Sequence, residues 1–445
     1  MSSNKNKITH PALIIWAAII VLILLSSVKL PVIPYINSYS HIDLLQDIKA
    51  DKKSVIPIKK ITLPAGVAPG MPQMVNNAFD STLIVDYADD ASVMMQSFYS
   101  KLNALKTKKG KVRIAYFGDS FIEADYITGE LRDKLQAIYG GSGPGFVPMQ
   151  SIVADDYVTF KFNSNTSWAD YNFHNNPQKY PLGLMGHVFY STGRSWSQYS
   201  ATNNNKFKNI YLYTGKTKDS LASVTVDEDD KENTVTVNDD SYINKTVISS
   251  NTPVGKLKLS CTNTALPVYG LSMEDSTGVY IDNYGFRGNT GALSLQLQPD
   301  VMKGFASYFK YDLIIVHYGL NVLVHGDTNY LWFDRTMAKF IEKIRTNFPG
   351  APILMIGSSD VAYNEQGSYI TDPGVPVLVR TENEIARKNK VAFWNLYYSM
   401  GGENTMTEWV EGDTTFAYRD YMHVNERGAN KIAGVFLDKL LHSQK

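Results

Sequence analysis

Cysteine is nearly missing from this chain: one residue in 445, Cys261. An internal disulfide and a multi-cysteine metal site are thereby excluded, and within the run KLKLSC the thiol reads as a small buried hydrophobe. An excess of either charge is missing too. The 43 basic residues balance 43 acidic ones, so nothing in the composition points to nucleic acid, which would want a basic patch, and no nucleic-acid partner is expected. Clustered metal ligands are also wanting. His174 and His187 stand without paired ligands in the sequence, and Asp227-Glu228-Asp229-Asp230 reads better as a solvated hairpin loop than as a calcium site. Neither a metal nor a cofactor is expected. Long apolar runs are absent with one exception, Ala12 to Val28, uncharged over 17 residues. As a helix it would extend about 26 Å, close to the ~30 Å hydrocarbon core. Lys5 and Lys7 would keep the short N-terminus cytoplasmic. The length of the run and the lack of a small-x-small cleavage site favour a retained signal-anchor over a cleaved signal peptide.

What is present is globular: 44% hydrophobic and 12% aromatic residues, in a chain long enough for two or three domains. The stretch Lys111 to Tyr139 organises it. Val112, Ile114, Tyr116 and Phe117 form a short apolar run ended by Gly118, and Ile127, Leu131, Leu135 and Ile138 follow at helical spacing. Ser120 thus falls at a strand-to-helix corner, where open α/β sheets collect their ligands. The competing reading is an ordinary helix N-cap serine.

Two further segments bear on that choice. Asp420 lies three residues before His423, both on a loop entering an amphipathic helix through Ile432, Val435, Phe436 and Leu440. A carboxylate so placed can orient an imidazole through one ring nitrogen and leave the other free as a base. Between the two ends, Tyr311 to Asn321 reads as a buried strand closing on Gly319-Leu320-Asn321, and an asparagine amide at a strand end can donate to a developing oxyanion. Gly288, in Gly285-Phe286-Arg287-Gly288-Asn289-Thr290, can lend a backbone N–H to the same place. Of the other histidines, His325, in His325-Gly326-Asp327, follows Asn321 closely and could face the same cleft, but His423 is favoured because Asp420 comes with it, and His317 sits inside the apolar strand as a core residue.

Gly-Asp-Ser, then a glycine block, then Gly-x-Asn, then Asp-x-x-His: these four blocks in this order resemble the SGNH (GDSL) hydrolase superfamily. The resemblance covers Lys111 to about Ser151 and about Gly278 to Leu441. It implies Ser120 as nucleophile, His423 as base, Asp420 as its orienter, and an oxyanion hole of the Ser120 and Gly288 N–H groups with the Asn321 amide. The family often has an acidic residue after the asparagine, where this chain has Val322. The wording GDSFIEADYITGELRDKLQ, the following GGSGPGFVP and the long gap to the second block are similar to two-domain SGNH enzymes acting on O-acetylated peptidoglycan and related envelope glycans.

Residues 155–275 change character. Short alternating runs such as VTFKF, NIYLYTG and NTVTVND recur between Asn, Asp, Gly and Ser, which argues a β-sandwich. Such an insert resembles the carbohydrate-binding-module-like domain of peptidoglycan O-acetylesterases, with Trp168, Trp196 and the tyrosines at 171, 180, 190 and 199 as candidates to stack on sugars or to fill the core. The expected organisation is a cytoplasmic N-terminus and transmembrane anchor over 1–29, a stalk with short helices over 30–110, an SGNH domain over 111–154 and 276–445, and the β insert between its two parts. Strands alternating with helices after the insert argue a doubly wound parallel sheet. The expected fold is therefore a three-layer α/β/α sandwich on a parallel sheet, interrupted by a β-sandwich, with an N-terminal transmembrane helix.

The expected activity is that of a serine esterase removing O-acetyl groups from an envelope glycan, anchored to the inner membrane with its catalytic domain outside the cytoplasm. Two alternatives stay open: an O-acetyltransferase using the same site beside a membrane-bound O-acyltransferase partner, and a glycan-binding protein on an inactive scaffold.

Overall fold

The computed structural model describes residues 82–442, apart from 158, 203–205 and 218–221. Its central sheet has six strands in the order Val85–Asp86, Ala392–Trp394, Ile353–Ile356, Leu313–His317, Lys111–Gly118, Gly278–Gly285. The last five run parallel. Lys111–Gly118 is the earliest of these five in sequence and lies between the second and third, so the chain reverses its winding at this strand. The carboxyl ends of strands at such a reversal leave a crevice for ligands. Ser120 follows one of them.

Both faces of Lys111–Gly118 are covered. Val112, Ile114 and Tyr116 enter one core and Ala115 and Phe117 the other, the period-two division of a strand buried on both sides. Helices Tyr126–Tyr139 and Glu426–His442 pack together on the first face, which carries the two sequence-distant ends of the α/β part to one place. Helix Leu331–Asn347 lies on the other. Helix Gly374–Lys388 leads into the strand Ala392–Trp394. Pro376 falls in its first turn, where a missing N–H is tolerated.

The insert is a sandwich of two antiparallel sheets. One orders Lys231–Thr236, Ser223–Glu228, Lys256–Cys261, Ser195–Ala201, Phe160–Ser164; the other orders Ile243–Ser249, Asn209–Gly215, Val268–Glu274, His187–Ser191, Trp168–Asn172. Phe160, Tyr199, Leu257 and Leu259 fill the space between them. Trp168 and Tyr199 are buried there, so neither meets a sugar. Tyr171, Tyr180 and Tyr190 are half-buried and pack on one another.

The expected fold class is corrected in three respects. The central sheet is mixed, not parallel, because Val85–Asp86 joins its edge antiparallel to Ala392–Trp394. This strand and helix Met95–Ala104, which buries Phe98 and Leu102, come from the segment read as a stalk. Secondly, the insert and the α/β part share strand pairing, so the sandwich is continuous with the rest of the fold. Gly145–Val147 pairs with the insert strand Val268–Glu274, and buried Arg113 of the central sheet holds Glu274 at 2.5 Å and Asp282 at 2.6 Å. With the small hairpin Ala362–Glu365 and Ser368–Thr371, the result is a mixed α/β fold of several sheets. Thirdly, among the described residues no helix is long and apolar enough to cross a membrane. The expected span, Ala12 to Val28, lies outside the described residues.

Candidate active site

Gly118 ends its strand with no room for a side chain: a Cβ there would lie 2.5 Å from Ile122 Cγ1. The chain then turns directly into the short helix Ser120–Glu123, and Asp119 caps it by accepting the Phe121 N–H at 3.0 Å. The capping role that competed for Ser120 is thus filled by its neighbour, and the serine hydroxyl is free for another partner. That partner is His423, whose Nε2 is 2.9 Å from Ser120 Oγ. On the far side of the ring, His423 Nδ1 is 2.7 Å from Asp420 Oδ2.

The loop between Asp420 and His423 is held from several sides. Asp420 Oδ1 accepts the N–H groups of Met422 at 3.1 Å and His423 at 3.0 Å. Tyr421, between them, takes a left-handed backbone with φ of 56°, an outlier for a bulky residue. Its ring stacks on Tyr369 at 3.5 Å, and its carbonyl accepts the Ala362 N–H at 3.0 Å. The hairpin that carries Ala362 and Tyr369 therefore keeps the loop folded back so that its carboxylate meets its imidazole.

The charges follow from this geometry. Hydrogen bonding to Asp420 raises the affinity of His423 for a proton, overcoming the opposite effect of burial. Burial disfavours the ionised Asp420, but His423 and the two backbone N–H groups outweigh it and hold the carboxyl below its usual range. Asp119 is fully buried, and burial pushes its carboxyl up to about 6 against the Phe121 N–H, His423 and the Asn321 amide.

Gly288 lines the same cleft as Ser120 and His423, a cavity of about 430 Å³. Its φ of 71° suits glycine, and its loop is tied to the serine strand where the Phe286 N–H meets the Gly118 carbonyl at 3.0 Å. Asn321 stands against Asp119 and donates weakly to the Asn289 carbonyl at 3.4 Å. It is next to the serine loop but outside the set that lines the cleft. Val322, where the family pattern often has an acid, is buried in the core.

The competing histidines lie elsewhere. His317 is buried, its Nδ1 3.1 Å from the Tyr116 hydroxyl, and burial lowers it to about 3. His325 pairs with Asp372 at 2.8 Å and packs on Tyr363, away from the cleft. Among the described residues no cluster of His, Cys, Asp or Glu could hold a metal ion. Two features escaped the sequence reading: the strained Tyr421, which no sequence signal marks, and the approach of the insert. His174 Nε2 lies 3.2 Å from the carbonyl of Arg287, the residue before Gly288.

Residues 258–431 match the family model described as GDSL-like Lipase/Acylhydrolase. Over this part the chain is similar to that family. The match takes in Gly288, Asn321, Asp420 and His423 but stops short of Ser120, which the insert separates from the rest in sequence and the fold restores in space. Among curated proteins none matches significantly. A solved structure of a peptidoglycan O-acetylesterase is similar over 81% of this chain and 99% of its own, at 21% identity with a TM-score of 0.69, a likeness of fold that includes the β insert. A family two carbohydrate esterase from Clostridium thermocellum, solved with cellohexaose, covers 63% of this chain and 98% of its own at 10% identity, with a TM-score of 0.28 too low to support an argument.

Proposed function

We propose that this acylhydrolase is a serine esterase that removes O-acetyl groups from a cell-envelope glycan, peptidoglycan or a related polysaccharide. The observation that carries the chemistry is the unbroken hydrogen-bond chain from Asp420 through His423 to Ser120, opening into a cleft beside Gly288. Neutral His423 accepts the Ser120 proton at Nε2 while its Nδ1–H stays bonded to Asp420, and Ser120 Oγ attacks the acetyl carbonyl. The electron pair of that carbonyl moves to its oxygen, which rests on the N–H groups of Ser120 and Gly288 and, after a small rotation away from the Asn289 carbonyl, on the Asn321 amide. Collapse expels the sugar oxygen, which takes the proton from His423. A water molecule, deprotonated by the same imidazole, then attacks the acyl carbon, and as the bond to Ser120 Oγ breaks His423 returns the proton to that oxygen and acetate leaves.

The substrate class rests on the fold shared with the peptidoglycan O-acetylesterase, and the volume of the cleft, about 430 Å³, falls within the ~300–1,000 Å³ of small-ligand sites. Acting on such a glycan implies a place in the cell envelope. Transfer of the acetyl group to a sugar hydroxyl shares every step as far as the acyl-serine, and would call for an acyl donor supplied by a membrane-bound partner. Acetate release from O-acetylated peptidoglycan by the intact protein, lost in Ser120→Ala, is the expected result. Release that persists in Ser120→Ala refutes the site, and acetylated acceptor in place of free acetate refutes the esterase.

A further inference from the structure

A second cavity, of about 440 Å³, lies between the insert and the hydrolase part. It shares Glu123 and Arg287 with the cleft that holds Ser120, so this ion pair, 2.6 Å between Arg287 Nε and Glu123 Oε2, forms the partition between the two. The insert supplies Asp170, His174 and His187 to its wall, and the hydrolase part supplies Phe286.

The polar groups of this wall are fixed in advance. His187 Nδ1 is 2.8 Å from Asp170 Oδ1, and Asp170 Oδ2 accepts the Asn172 amide at 3.0 Å. The His187 ring lies flat on Phe189, 3° from parallel. With Nδ1 engaged, Nε2 is the ring atom left to meet a ligand. His174 is held against Phe286 and the Arg287 carbonyl. Each carboxylate here is already engaged, Asp170 by His187 and the Asn172 amide and Glu123 by Arg287, which suits a neutral ligand rather than an ionised peptide. A pyranose has that character, with hydroxyls for the fixed polar edge and a C–H face for the ring of Phe286.

We propose that this cavity is the subsite for the sugar next to the acetylated one in the same glycan chain, so that the β insert recognises substrate as a wall of the catalytic cleft. The inference rests on the glycan esterase reading. It also accounts for the insert without sugar-stacking by Trp168 or Tyr199, both of which lie in its core.

The test compares kcat/KM of the full chain for an O-acetylated N-acetylhexosamine and for the disaccharide carrying the same acetyl group. The disaccharide should be favoured about tenfold, the equivalent of one or two added hydrogen bonds. That advantage should disappear, through KM, in His187→Ala and in Met185→Trp, which fills the cavity. Cleavage of both saccharides at equal rates, or an advantage that survives both substitutions, overturns the subsite and leaves the esterase standing. A gain seen only when a stem peptide is attached assigns the cavity to peptide and also overturns it. Cleavage of 4-nitrophenyl acetate with no cleavage of any saccharide sinks the glycan reading itself, and the subsite with it.

Discussion

Replacing Asp420 by Asn changes one atom and reverses a hydrogen bond. At present Asp420 Oδ2 receives the Nδ1 proton of His423 at 2.7 Å, which leaves Nε2 without a proton and 2.9 Å from the Ser120 hydroxyl. Oδ1 of an asparagine can still accept the N–H groups of Met422 and His423, so the loop should keep its shape. Its amide nitrogen, however, would donate to Nδ1 and move the ring proton to Nε2, where it cannot accept from serine. In a buried triad this reversal costs about 10⁴ in kcat. Here the Asp420 and His423 side chains are 49% and 34% exposed, and water can supply part of the lost orientation. A fall of about 10²–10³ in kcat, or ~3–4 kcal/mol of barrier, is therefore expected. The pH profile carries the second half of the prediction. His423 must be neutral to accept the proton, and its bond to Asp420 raises its pKa above the ordinary value. Wild-type kcat/KM should thus rise with pH through that elevated value, and in Asp420→Asn the rise should move to lower pH while its plateau drops. The assay is hydrolysis of 4-nitrophenyl acetate between pH 4 and 9, with a Tm to check folding. A plateau within about threefold of wild type, or an unmoved acid limb, would refute the assigned role.

Other outcomes follow from the same geometry. Asn321→Ala should lower kcat about a hundredfold or more with a much smaller effect on Tm, because this exposed residue touches the protein only through Asp119 and a 3.4 Å bond to the Asn289 carbonyl, whereas its amide acts on the transition state. Burial raises Glu382 to about 8, where it accepts hydrogen bonds from the N–H and hydroxyl of Ser358. The stability tied to that proton is complete below the unfolded value near 4.5 and is lost as pH rises through about 8. Glu382→Gln, which cannot ionise, should flatten the fall of Tm across that window, as differential scanning fluorimetry at stepped pH can show. Arg113→Ala takes from Asp282 its salt-bridge partner in the join between sheet and insert and leaves Glu274 with Lys111 at 2.9 Å. It should cost about 3–5 kcal/mol in denaturant unfolding, the penalty of leaving a buried charge unpaired.

The parts of the site that local pattern encodes were legible in the sequence. Apolar runs ended by glycine marked the strands that carry Ser120 and Asn321, and the spacing of Asp420 and His423 anticipated a bond that the structure puts at 2.7 Å. The alternation of the insert strands likewise announced a sandwich. What the letters left dark depends on contacts between distant segments. A two-residue strand such as Val85–Asp86 has no periodicity to read, so the antiparallel edge was missed. Whether Trp168 and Tyr199 stack on sugars or fill the core stayed open, because aromatic residues look alike in sequence whether they face solvent or a core. His174 and His187 appeared isolated since Asp170 and the Arg287 carbonyl reach them only through the fold. Tyr421 gives no warning of its left-handed backbone, for which glycine or asparagine would be the usual sign.

The claim that an acyl group passes through one serine is tested most directly by trapping it. The full chain would be mixed with an acetyl ester, quenched in acid during turnover, digested and sequenced by mass spectrometry. A single acetyl group on Ser120, absent when the protein is quenched before substrate is added, is the predicted result. Turnover with no acetyl on Ser120, or with the group on another residue, would contradict the account.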